Sequence, residues 1–153
     1  MSEAVRLLAR SARPEAEIRG RLAGLHDPAE LEAALALLRS RGYLDDEDWA
    51  RRYVESRRGS GLGASLLVRE LRARGIDAET TGRVLSGRDE RAAADRAARG
   101  RLRRPGGRRG SPRARSLAAF LLRRGFACDV VDECVRALLG GELDELAGPL
   151  DAS

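Results

Sequence analysis

The chain of 153 residues contains no lysine, no asparagine and no glutamine, and only one histidine. Without lysine it has no Walker-type phosphate loop, whatever its glycines suggest. Without asparagine or glutamine it lacks the side chains that read adenine from a recognition helix. Two isoleucines, seven valines and two threonines are too few for a sheet, and no stretch alternates apolar and polar residues for long. Ala, Leu, Arg and Glu dominate instead, and these are good helix formers. The fold class that follows is all-α.

Two cysteines, Cys128 and Cys134, give no disulfide framework, and their spacing is not the C-x-x-C of a zinc or redox site. Both are expected to pack as small hydrophobes. His26 has no partner for a metal site. No apolar run is long enough to span a bilayer, and the opening Met-Ser-Glu-Ala has no signal pattern, so a cytoplasmic protein with no membrane contact is expected. Five aromatics leave little for stacking on bases. No catalytic constellation, cofactor site or metal site can be assembled. The chain reads as a binding protein, not an enzyme.

What is present is charge of one kind. A net charge of +5 and a pI ≈ 10.4 rest on arginine alone, which suits an anionic partner, either nucleic acid or an acidic protein groove. A GC-rich genome that writes Arg wherever Lys would serve explains the missing lysine. Between positions 99 and 115 lie Arg99, Arg101, Arg103, Arg104, Arg108, Arg109, Arg113 and Arg115, with no acid among them. Guanidinium forks bind phosphate and carboxylate bidentately, and such a cluster gives salt-sensitive affinity for a polyanion. Arg57, Arg58, Arg69, Arg72 and Arg74 form a second set. The competing account of the first cluster is a solvated Gly/Pro-rich loop.

The clearest local signals run from Leu38 to Ala50. Gly42 suits the left-handed residue that ends a helix, and Asp45 suits the cap of the next one. Asp46, Glu47 and Asp48 then place negative charge at the positive end of the helix dipole. Tyr43, Trp49 and Tyr53, three of the five aromatics, gather here, so the core is expected to be densest at this corner with Trp49 buried.

In chain order, a helix is expected from about Ser2 to Arg10, and a second from Pro14 to near Gly24 with Ile18 and Leu22 inward. Asp27-Pro28 starts a third, with Leu31, Ala34, Leu35 and Leu38 on one face. After the Gly42 corner, Trp49, Ala50, Tyr53 and Val54 face inward. Gly59-x-Gly61-x-Gly63 reads as a hinge or loose turn. Ala64, Leu67, Val68 and Leu71 make the next face, closed by Gly75. A helix from Asp77 to about Ser86 and an Ala-rich one from Asp89 to Arg104 follow. Beyond the 105–110 loop, Ala114, Leu117, Ala118 and Leu121 make a face closed by Gly125, and the last helix buries Val131, Cys134, Val135 and Leu138.

An internal repeat emerges from these faces. Leu71-Arg72-Ala73-Arg74-Gly75-Ile76 matches Leu121-Leu122-Arg123-Arg124-Gly125-Phe126, and both match Leu38-Arg39-Ser40-Arg41-Gly42-Tyr43 in form. A degenerate earlier copy places Ile18 and Leu22 in the same frame, with His26 where the glycine should be. Three modules of three helices are expected, 3–41, 45–87 and 88–139, stacked into an elongated, curved body. The third carries the Gly/Arg-rich loop 105–110, and an acidic tail at 140–153 is expected to be loose.

Gly42-Tyr43-Leu44-Asp45-Asp46, followed by Trp49-Ala50-x-x-Tyr53-Val54, resembles the central signature of the RecX regulatory proteins. The Arg57–Gly63 turn, Glu70-Leu71-Arg72-Ala73-Arg74-Gly75-Ile76, and Leu121 to Phe126 extend the resemblance. So do Leu7-Leu8-Ala9-Arg10, Glu17-Ile18 and Leu22, and together these cover about residues 4–139. The resemblance implies tandem three-helix repeats and a regulator that binds the RecA–DNA filament. It implies modulation of RecA, usually damping of ATPase and strand exchange, in recombination, DNA repair and the SOS response. No catalytic motif comes with it. The partners expected are the RecA filament and, through phosphate contacts, DNA, with the chain itself a monomer. The rival is a helix-turn-helix protein acting directly on duplex DNA, since three-helix modules with a glycine corner also fit that motif.

Overall fold

Helices of eight to thirteen residues, as all but the last are here, are marginal alone in water, so each needs an explicit start and a buried face. The computed structural model describes residues 11–56, 59–103 and 111–146, which form eight α-helices and no strand. They are α1 (Glu15–Leu22), α2 (Pro28–Ser40), α3 (Asp46–Glu55), α4 (Ala64–Ala73), α5 (Ala78–Leu85), α6 (Glu90–Leu102), α7 (Ser111–Arg123) and α8 (Cys128–Leu146). The all-α class stands. The expected helix over Ser2–Arg10 and the 105–110 loop lie outside the described residues.

Starts are written in aspartate. Asp27, Asp45, Asp77 and Asp89 cap α2, α3, α5 and α6, each accepting a backbone N–H of the first turn. At Asp77 the N–H and then the hydroxyl of Thr80 hold the carboxyl below its usual range. Ends are written in glycine. After α2, α4 and α7 the same double closure recurs: Gly42, Gly75 and Gly125 donate to the carbonyls of Arg39, Arg72 and Leu122. The next residues, Tyr43, Ile76 and Phe126, donate to Leu38, Leu71 and Leu121. All three glycines have positive φ. The turns after α1 and α5 form a second kind, with Ala23 and Ser86 extended and Gly24 and Gly87 left-handed, as in a type II turn. The left-handed residue of the first copy is thus Gly24, not the His26 position that the repeat frame assigns it.

The chain divides into two compact units. The first comprises Met1–Ser56 and Val68–Ser86; its core includes Ile18, Leu22, Leu31, Leu35, Leu38 and Leu44. The second comprises Arg57–Leu67 and Gly87–Ser153, with Ala93, Ala94, Ala98, Leu117, Leu121, Phe126, Val131 and Cys134 among its core residues. The start of α4 therefore groups with the second unit and its remainder with the first.

One joint explains each assignment. In the first unit the turn ending α4 meets the start of α1, where a Cβ on Gly75 would collide with that of Ala16. In the second unit the turn ending α7 meets the start of α4. Gly63 N–H donates to the Arg124 carbonyl at 2.7 Å, and the Ser65 hydroxyl donates to the Gly125 carbonyl at 2.8 Å. A Cβ on Gly63 would fall inside the backbone of Gly125 and Phe126, while one on Gly125 would lie 2.6 Å from Leu66 N. The hinge expected at Gly59–Gly63 is accordingly a 3₁₀ turn at Gly59–Gly61 followed by a backbone-to-backbone contact that only glycine permits.

Three further expectations change. The core is aliphatic: Tyr43 is 59% exposed, while Ile76 and Phe126, in the equivalent place after their glycines, are 3% exposed. Gly42 has open space where Gly75 and Gly125 are docked, and among the described residues the tyrosine that follows it is left exposed. The helix α8 also runs to Leu146, through residues 140–146 of the expected loose tail. Gly140-Gly141 costs about 2 kcal/mol of helix propensity, but the preceding buried Leu139 anchors the turn, and the two Glu and two Leu of the following Glu-Leu-Asp-Glu-Leu are good formers. Cys134 is buried and Cys128 is exposed, so only the first packs as a hydrophobe.

Gly42→Ala meets no neighbour and carries only left-handed strain, expected to cost about 1–2 kcal/mol. Gly63→Ala must push one backbone away from another and is expected to cost more. Thermal or urea unfolding of the two variants checks this, and a smaller loss at Gly63 would mean that the α7–α4 joint is not close.

Candidate functional site

The segment Gly42–Tyr53 is where the sequence resemblance is sharpest, and in the structure each of its acids has a separate task. Asp45 caps its own helix, its carboxylate accepting from Asp48 N–H at 2.9 Å. Asp46, the first residue of α3, reaches across to α1 and accepts from Glu15 N–H at 2.8 Å. That amide opens α1, whose own cap position is Pro14 and offers no side chain. Glu47 bridges two helices, taking Arg51 at 2.9 Å and Arg83 of α5 at 3.0 Å. Asp48 pairs with Arg52. Leu44 is buried beneath them.

Asp46 is not an ordinary carboxylate. Burial pushes its pKa up, against the lowering effect of the Glu15 N–H, and the charges of Glu15, Asp77 and Asp45 add to the rise. An arrangement of this kind satisfies a helix end at the expense of a charge. The second unit repeats it: Glu90, first residue of α6, accepts from Ala64 N–H at 3.0 Å and so caps α4. Arg88 supports that acid, pairing with Glu90 and donating to the Leu62 carbonyl at 2.6 Å. Burial pulls the Arg88 pKa down, Glu90 opposes this, and the neighbouring Arg96 adds to the lowering.

The aromatic residues of the same segment form a ladder. Trp49 and Tyr53, one turn apart on α3, stack with centroids 5.4 Å apart and planes within 11°. The guanidinium of Arg74 lies 4.8 Å from the Tyr53 ring and 6.0 Å from that of Trp49. Glu70 takes both the Tyr53 hydroxyl and Arg74, and the Trp49 indole N–H donates to the Ala12 carbonyl at 3.1 Å. Trp49 is half-buried rather than buried, and it is held by its rings and its N–H.

Of the arginines singled out by sequence, Arg69 and Arg72 are exposed on α4, Arg101 is half-buried on α6 and Arg103 is exposed at its end. Arg74 is occupied by the ladder. Arg57, Arg58, Arg104, Arg108 and Arg109 lie outside the described residues. Among the signature glycines, Gly75 and Gly125 are close-contact residues. The sequence reading missed Gly63, Arg88 and Glu90, because their partners are far along the chain and no local pattern announces them. Among the described residues no group of three or more potential ligands could hold a metal ion. Nor is any helix there long and apolar enough to cross a membrane.

Comparison with known proteins gives concordant results. Residues 45–85 match the family model described as RecX, second three-helix domain. The chain is similar to the Regulatory protein RecX of Mycobacterium ulcerans, 37% identical over 146 residues that cover 92% of this chain and 84% of the relative. It is 39% identical to that of Mycobacterium leprae over 145 residues, 90% of this chain and 84% of the relative. Among solved structures, the fold is similar to that of RecX from Lactobacillus salivarius, with a TM-score of 0.74, 19% identity and coverage of 90% and 92%. A second RecX crystal structure has a TM-score of 0.68 at 22% identity, covering 87% of this chain and 68% of that one.

Asp46→Asn keeps the acceptor for Glu15 N–H and removes the buried charge. Because the folded pKa is raised, the wild-type contribution of Asp46 is fully present below its unfolded value of 3.8 and lost as pH rises through the folded value. The variant is therefore expected to match wild type at pH 3 and to be the more stable near pH 6.5, by urea midpoint. A variant less stable than wild type at pH 6.5 would show that charge at the start of α1 outweighs its burial.

Proposed function

The chain belongs to the RecX family, and on that premise we propose that it is a regulator that binds the RecA–DNA filament and modulates RecA, damping ATP hydrolysis and strand exchange in recombination and DNA repair. It acts in the cytoplasm by binding, as a monomer, with no chemistry of its own. Family membership over nearly the whole chain is the observation that carries this reading. The surface supports it: Arg69, Arg72 and Arg103 are exposed, and none has an ion-pair partner among the described residues. These arginines, with Arg57, Arg58, Arg101, Arg104, Arg108 and Arg109, are the contacts we assign to the filament. Arg74 is left out, since leaving the ladder would break a cation–π stack and an ion pair.

The purified protein, titrated into RecA on single-stranded DNA, is expected to slow ATP hydrolysis at substoichiometric amounts. No change in hydrolysis, filament stability or strand exchange would sink the reading. A sequence-specific footprint on duplex DNA without any response from RecA would replace it with the helix-turn-helix alternative.

A further inference from the structure

The positive charge of this chain is not shared between its units. The first unit has 13 arginines against 14 acids, a net −1; the second has 16 against 10, a net +6, which together make up the 29 bases and 24 acids of the chain. The side chains sharpen the difference. In the first unit Arg13, Arg19, Arg21, Arg39, Arg51, Arg52, Arg74 and Arg83 are all in ion pairs. Only Arg41, Arg69 and Arg72 among its described arginines are not. In the second unit Arg88, Arg91 and Arg99 are paired, and Arg124 lies over the Phe120 ring. Arg96, Arg101, Arg103, Arg115, Arg123 and Arg136 have no ion pair among the described residues, and all but the half-buried Arg101 are exposed.

We propose that the second unit is the region of this protein that holds nucleic acid, through phosphate contacts made by these unpaired arginines. The reasoning rests on the regulator reading only for the presence of DNA nearby. A guanidinium already paired with a carboxylate must give up that partner to take a phosphate, while an unpaired one gains a charge-assisted bond outright. Arg96 and the ion-paired Arg99 lie on one exposed stripe of α6, and Arg103, just past the helix end, continues it at i, i+3, i+7 spacing. At about 1.5 Å of rise per residue the stripe is about 10 Å long, the span of roughly three phosphates on one strand of a duplex.

Nucleic acid is favoured over an acidic protein by how the charges are distributed. Unpaired arginines occur on three helices of the unit and just past the end of one: Arg96 on α6 and Arg103 beyond it, Arg115 and Arg123 on α7, Arg136 on α8. A long, regular polyanion engages such scattered charges, and a compact acidic patch does not. No aromatic in the described residues of the unit is exposed: Phe120 lies under Arg124 and Phe126 is buried. Contact is therefore with the backbone and blind to sequence.

The test is fluorescence anisotropy of a labelled oligonucleotide with the full-length chain, across a salt series and without RecA. The triple variant Arg96→Gln, Arg103→Gln, Arg115→Gln is compared with Arg41→Gln in the first unit, an exposed arginine to which no filament contact is assigned. The triple is expected to lose at least about tenfold in affinity, with a slope of log K on log salt shallower by up to about three. The Arg41 variant should stay within about twofold of wild type. The three single changes, each checked for unchanged helical content, keep the test valid if the triple does not fold. Equal losses in the two variants, a loss confined to the first unit, or wild-type protein that does not bind the oligonucleotide would each overturn the assignment. In the last case, a RecA response that still needs Arg96, Arg103 and Arg115 would identify an acidic protein surface as their partner. Since the binding assay contains no RecA, failure there and failure of the ATPase titration are separate results.

Discussion

The amide groups that open a helix have no partner inside it, and in this protein two helices are opened by acids belonging to another helix. Asp46 closes the start of α1 and Glu90 the start of α4, each from the first turn of the helix two further along. Because α1 has only Pro14 at its cap, and α4 begins among glycines, neither could be a well-terminated helix by itself. Both acids follow an aspartate that caps its own helix, Asp45 and Asp89. A pair of adjacent acids thus starts one helix with the first member and another with the second. Packing is arranged around that economy, with the glycine turns ending α4 and α7 brought against the same two helix starts that the acids serve.

Much of this was legible beforehand. Composition excluded a sheet, and aspartate and glycine marked most helix boundaries, because caps are encoded by residues adjacent to what they cap. Spacing identified Leu35, Leu38, Leu67, Leu71, Leu117 and Leu121 as buried, since helical periodicity is local. What could not be read was contact between distant positions. Gly63 looked like one of three loop glycines and is a close-packed residue because Gly125, sixty-two positions on, lies against it. The aromatics misled for a related reason. Trp49 and Tyr53 are amphipathic enough to serve a half-buried stack with Arg74, a residue that charge alone had assigned to a partner.

Arginine has two opposed uses here. In the first unit most of it is matched by acids at helical spacing, as with Arg21 and Glu17 or Arg51 and Glu47, an arrangement worth only a few tenths of a kcal/mol per pair but one that leaves the surface electrically quiet. In the second unit the acids run short. A chain lacking lysine can therefore confine its positive field to one region without changing its basic residue, simply by where it places glutamate and aspartate.

The division of α4 between the units has a consequence for how the molecule opens. Amides of its first turn and of the residues just before it are tied to the Arg124 and Gly125 carbonyls and to Glu90, whereas its last turn closes through Leu71, Arg72 and Gly75 in the other unit. Local opening of either unit frees only one end. A single ten-residue helix thus carries two separate clocks for hydrogen exchange, one at each end, and the difference between them measures how far the two units breathe independently.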